Sequence, residues 1–217
     1  MVSNSEIKKN ALESLRGNWG KAVLLVLVTF FSSLPTGIAE RFTEEPGIIL
    51  LLNLIGTVLS FVFSMVTIVF FLTLVKQGNA KVSDSFNEAF PRMGKFILVW
   101  LLMVVKILLW SLLLFIPGII ASFRYSQAFY IVSENPSISA NECLQRSSEM
   151  MHGYKWKYFL LGLSFIGWFL LSIFTLFIGL LWVSAYMQAA FAQFYQELKN
   201  FTQCTESPNS NSIPLNS

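Results

Sequence analysis

Two cations interrupt otherwise apolar stretches of this 217-residue chain. Lys106 lies within the run Phe96 to Ile116 and Arg124 within the run Gly118 to Val132. At a bilayer centre an ionisable side chain carries a penalty of at least ~2.5–3.5 kcal/mol, and such groups usually face a protein interior or a cavity. Counted from Pro117, Lys106 lies 11 residues back and Arg124 7 residues on. Those offsets place them ~16 and ~10 Å from a turn at Pro117-Gly118, on the two arms of one hairpin. All 12 acidic residues fall outside the apolar runs. Two cations with no internal acid are expected to attract an anion from outside the chain: a phospholipid or polyprenyl phosphate headgroup, or an anionic substrate. The alternative is structural. Arg124 would snorkel to the outer surface, and Lys106 would donate to carbonyls or to Asn53.

A second polar group lies in the run Gly47 to Val75. Asn53, Thr57, Ser60 and Ser64 are spaced by 4, 3 and 4 residues, which puts them on one helical face. They would either bond between helices, at roughly 0.6 kcal/mol per bond, or line a polar path. A third group is Glu134-Asn135-Pro136. Proline cannot continue a helix there, so the segment is a helix–loop–helix corner. Glu134 is expected to pair with Arg146 or a nearby lysine, and the alternative is a gate or a partner-docking loop. The lone His152 reads as solvated, and Cys143 as buried packing.

Recognisable catalytic motifs are absent: no phosphate-binding Walker loop, no Gly-x-Ser-x-Gly elbow, no His-Glu-x-x-His and no acid-rich metal cluster. No cofactor or metal is expected. The composition agrees, with 54% apolar and 12% charged residues, 21 Phe and 6 Trp, and a mean hydropathy of +0.61. Soluble domains carry about 25% charged residues. An ordinary cytosolic enzyme and a disordered chain are excluded, and a net charge of +3 is too small for a nucleic-acid partner. Two cysteines cannot build a disulfide scaffold.

The elements that must position these groups are the apolar runs themselves. They predict an all-α polytopic membrane protein with six transmembrane helices, arranged as three hairpins. The spans are expected at about 20–39, 47–75, 95–116, 118–134, 156–174 and 176–198, in one membrane domain, 1–201. A disordered polar tail, 202–217, would follow. The run from Tyr158 to Phe194 is 37 residues without a charge, ~55 Å as one helix, so a turn is expected near 175–179. The connections on one side carry twelve Lys and Arg, against Arg41 alone on the other. That bias places both termini in the cytoplasm. The first run reads as a retained span, because 21 residues including Glu6 and Glu13 precede it.

A repeat runs through these elements. Lys21, Lys95 and Lys157 each stand one residue before an odd-numbered span. Each follows a short amphipathic segment with a Ser-x-x-Glu capping signal: Ser3 with Glu6, Ser85 with Glu88, Ser139 with Glu142. Apolar faces are expected at Ile7, Ala11, Leu12, Leu15 and Trp19, then at Val82, Phe86 and Phe90. The third is expected at Cys143, Leu144, Met150 and Met151, interrupted by Ser147. The unit reads as cytoplasmic-side amphipathic helix, span, turn, span, three times over.

Within this pattern, Pro117-Gly118, Arg124-Tyr125, Glu134-Asn135-Pro136, Ser139-Ala140, Arg146-Ser147, Met151 with Gly153, Lys155 and Gly17-Asn18-Trp19-Gly20 resemble a bacterial family of multi-pass membrane proteins, domain of unknown function 975. The resemblance runs to about Phe194 and implies a bacterial cytoplasmic membrane protein without a settled activity. The residues lead to one expectation and two alternatives. The first is a non-enzymatic protein that binds or moves an anionic lipid or amphiphile through Lys106 and Arg124. The second is an interaction subunit docking a protein partner through 133–157. The third is an enzyme acting on lipid phosphate.

Overall fold

The computed structural model describes residues 1–33, 45–113, 115–174 and 179–206. Among them the regular structure is helical throughout. The order is α1 (Asn4–Leu15), α2 (Trp19–Ser33), α3 (Pro46–Gln77), α4 (Val82–Ala89), a 3₁₀ turn (Phe90–Arg92), α5 (Met93–Leu113), α6 (Phe115–Tyr125), α7 (Ala128–Glu134), α8 (Ala140–Met150), α9 (Lys155–Leu163), α10 (Ile166–Phe174) and α11 (Gly179–Glu206). Among the described residues two helical stretches are long and apolar enough to cross a membrane: Pro46–Gln77, and Val82–Leu112, where α4 runs through the 3₁₀ turn into α5. The end of the first expected span (34–39), Arg41, the expected turn at 175–178 and the tail beyond 206 lie outside the described residues.

Two expected spans are broken. The fourth is α6 and α7, interrupted at Ser126-Gln127, and the fifth is α9 and α10, interrupted at Ser164-Phe165. The first break is stabilised by Ser147. Its Oγ donates to the Arg124 carbonyl at 2.8 Å and accepts from the Gln127 N–H at 3.2 Å. The serine that interrupts the apolar face of α8 is therefore the group that satisfies the broken helix, as buried backbone polar groups require. Pro117 does not break a helix: it sits in the first turn of α6, where the missing N–H is tolerated. Gly118 lets the two arms approach, since a Cβ there would collide with Ser111 on α5. The expected tail at 202 is helical as far as Glu206.

Ser3 and Ser139 cap α1 and α8, each accepting from the backbone N–H of the following glutamate at 3.2 Å. Ser85 does not cap. It lies inside α4, which begins after Lys81, and its hydroxyl donates to the Lys81 carbonyl. The buried face of α4 is Ser85 and Ala89. Phe86 and Phe90 point outward, 39% and 60% exposed, with rings stacked 6.1 Å apart. In α1, Ile7, Ala11 and Leu15 are fully buried, whereas Leu12 is exposed.

The core lies at one end of the molecule. Met65 to Leu74 of α3, Ala121 to Val132 of α6 and α7, and Ala185 to Leu198 of α11 supply most of it. Beyond that end, the apolar surfaces of α3, α5 and α10 are uncovered: Leu50, Leu54, Leu108 and Leu170 are all exposed.

The repeat lysines tie the units together in order. Lys21 donates to the Ala80 carbonyl, just before α4. Lys95 donates to the Pro136 carbonyl, just before α8. Lys157 donates to the Val2 carbonyl, just before α1. Each unit's lysine thus holds the segment leading into the next unit's amphipathic helix, and the third returns to the first.

Candidate functional site

The two cations stand on adjacent arms of the α5–α6 hairpin, joined by two cross-arm rungs. Lys106 and Trp110 are one turn apart on α5, and Arg124 and Tyr125 adjoin on α6. The Lys106 ammonium lies 5.7 Å from the Tyr125 ring centroid, and the Arg124 guanidinium 6.0 Å from that of Trp110. Both cations are half-buried. Such contacts are worth ~0.5–1 kcal/mol at exposed sites and more when desolvated. Lys106 also donates to Asn141 Oδ1 of α8 at 2.9 Å; Asn53 is not its partner. Among the described residues neither cation has an ion pair with an acid. Arg124 is tied to the same helix, α8, through its carbonyl, which accepts from Ser147.

The corner forms a second cluster. Glu134 ends α7 with its side chain only 4% exposed. It pairs with Lys76 of α3 and with Lys199 of α11 at 2.6 Å. It also accepts from Tyr195 Oη at 2.8 Å and Gln196 Nε2 at 3.0 Å. Burial alone would raise the carboxyl pKa; the hydrogen bonds from Lys199, Lys76, Gln196 and Tyr195 outweigh it and hold the pKa at about 2. Asn135 caps α7, and the Pro136 carbonyl accepts from Lys95. Arg146 does not reach Glu134. It pairs with Glu142, one turn back on α8, at 2.9 Å. Asn135, Arg146, Glu149, Tyr195, Lys199 and Gln203 line a cavity of about 420 Å³ beside this cluster. The partners Tyr195, Gln196 and Lys199 were legible only as an i, i+1, i+4 face on the last helix.

The polar stripe divides. Thr57, Ser60 and Ser64 line a groove of about 540 Å³ with Thr29 of α2, Thr67 of α3, and Ser184 and Gln188 of α11. Val26, Phe30, Phe61 and Trp100 complete its wall. Asn53 lies a turn beyond, and its buried Oδ1 has no partner among the described residues.

Comparison with known proteins adds a family. The model of the family described as protein of unknown function, DUF975, matches residues 1–121 and 111–202. No curated protein and no solved structure matches the chain. The two matched segments overlap and together cover residues 1–202, all but the last turn of α11, so the chain belongs to the DUF975 family.

Proposed function

We propose that this chain is a non-enzymatic, six-span protein of the bacterial cytoplasmic membrane, with both termini in the cytoplasm, and that it binds an anionic lipid or amphiphile at Lys106 and Arg124. The membrane reading draws on the second long helix. A core helix of a soluble protein is mostly buried, yet the apolar window of Val82–Leu112 is 11% buried. The broken fourth and fifth spans are compatible with it, because interrupted backbone is tolerated at membrane depth where protein groups satisfy it, as Ser147 does. The twelve-to-one distribution of Lys and Arg supports the orientation.

The observation that carries the ligand class is the pair of cations held by aromatic rings and one amide, with no acid partner among the described residues. A phosphate or carboxylate headgroup supplies the missing charge, while exposed Leu108 and Leu109 beside them accept its hydrocarbon. The test is thermal unfolding in neutral detergent with added phosphatidylglycerol or phosphatidylcholine. Saturating phosphatidylglycerol raises the midpoint by roughly 5–10 °C in the wild type and leaves Lys106→Gln/Arg124→Gln unmoved. Equal shifts with both lipids, or an unchanged response in the variant, refute the site.

The cavity beside Glu134 favours a second reading, in which a cytoplasmic protein docks on the 133–157 segment. Under that reading Arg146→Ala/Glu149→Ala abolishes a stoichiometric complex and leaves the lipid response intact.

A further inference from the structure

The groove between α2, α3 and α11 differs in kind from the cation pair. Among the described residues its wall contains no charged side chain, so an ionised ligand entering it would remain unpaired at high cost. What it offers is mainly hydroxyl oxygen, with the one amide of Gln188. Thr29 donates to the Leu25 carbonyl, Thr57 to Asn53, Ser64 to Phe61 and Thr67 to Phe63, each at 2.8 Å. Thr29 and Thr67 also meet oxygen to oxygen at 3.2 Å across α2 and α3, and Ser60 accepts from Ser32 at 3.4 Å, so these protons are engaged within the protein. The oxygens keep lone pairs for a donor arriving from the groove.

Aromatic surface borders these acceptors. Phe61 and Trp100 meet edge to face, 6.3 Å between centroids. Outward along α3, Leu50, Leu54 and Val58 are exposed, so the approach to the groove is an apolar surface. A volume of about 540 Å³ lies within the range of ligand pockets.

We infer that this groove binds an uncharged amphiphile carrying a hydroxyl donor, of the diacylglycerol type, with the hydroxyl on the threonine and serine oxygens and the chains along exposed α3. The inference rests on the membrane placement proposed above and is independent of the Lys106–Arg124 site.

The test uses the full chain in phosphatidylcholine nanodiscs and a diacylglycerol bearing a photoactivatable diazirine in one chain. Label falls on the α3 peptide that carries Leu50, Leu54 and Val58, where the chains lie. The same probe with its hydroxyl methylated labels about tenfold less, the loss of one or two hydrogen bonds. Ser60→Ala/Ser64→Ala/Thr67→Val loses labelling to the same extent, while Thr67→Ser, which keeps the oxygen, retains it. Lys106→Gln/Arg124→Gln labels as wild type does, which separates this groove from the anion site. Carbonate extraction of the native membranes tests the placement itself. Equal labelling by the methylated probe overturns the inference. So does label scattered over the exposed apolar helices, or displacement by phosphatidylglycerol as effective as by unlabelled diacylglycerol.

Discussion

The Lys157 ammonium donates to the carbonyl of Val2, joining the third repeat to the chain's first residues. Lys21 and Lys95 make the equivalent bonds to Ala80 and Pro136. The three contacts turn a linear repeat into a closed ring, each unit holding the start of the next. A charged donor on a carbonyl contributes about 1.5–3 kcal/mol when well shielded. Replacing any one lysine by Met is expected to lower stability by about 1–2 kcal/mol, read from tryptophan fluorescence during denaturation in detergent. Equal losses at the three positions support equivalence of the units; a loss at Lys21 alone contradicts it.

Glu134 neutralises two lysines at once. Removing its charge by Glu134→Gln leaves Lys76 and Lys199 without their acid. The expected loss is about 3 kcal/mol, at the lower end for a broken buried pair because both lysines are partly exposed. Lys199→Met is expected to be milder, since Lys76, Tyr195 and Gln196 still hold the carboxylate.

The same carboxylate sets an acid limit. Its pKa is about 2 in the folded protein and near the ordinary ~4.3 when unfolded. The unfolded chain therefore binds the extra proton first as pH falls. The stabilisation is complete above about pH 5 and declines as pH falls toward 2. Across that window the wild type is expected to approach Glu134→Gln in stability, and parallel curves would show that the cluster is not the titrating unit.

Cys143 is fully buried in α8. Burial, opposed by nearby Lys95, raises its thiol pKa to about 11, and the thiolate is the reactive form. In a Cys204→Ser background, maleimide at pH 7.5 is expected to leave the folded protein unlabelled and to label it fully once denatured. Rapid labelling of the native protein would place α8 elsewhere.

Ser147 carries the break between α6 and α7. Ser147→Ala leaves the Arg124 carbonyl and the Gln127 N–H without their side-chain partner, a loss of about 1–3 kcal/mol. Ser147→Cys, a poor substitute for both bonds, is expected to fall in the same range. A change below about 0.5 kcal/mol in both would show that the break satisfies itself.

Helical class, the capping serines of α1 and α8 and the burial of Cys143 were legible because each depends on local spacing. Ser85 misled because the same Ser-x-x-Glu pattern occurs inside a helix, where the hydroxyl finds the carbonyl four residues back. The breaks at 126–127 and 164–165 carry no proline to mark them, and what permits the first is Ser147, 20 residues away. Glu134 was legible as a corner acid, but its partners come from α3 and α11, and only the fold brings Lys76 beside Lys199. Of the polar stripe, the shared face was readable; the opposing Thr29 and Gln188 were not.

The central claim is that Lys106 and Arg124 hold an anionic headgroup. Native mass spectrometry of gently extracted protein tests it most directly, with Lys106→Gln/Arg124→Gln alongside. The account predicts that wild type retains one anionic lipid of defined mass and that the variant releases it while staying folded. Retention of no lipid by either form, or of the same lipid by both, would contradict it.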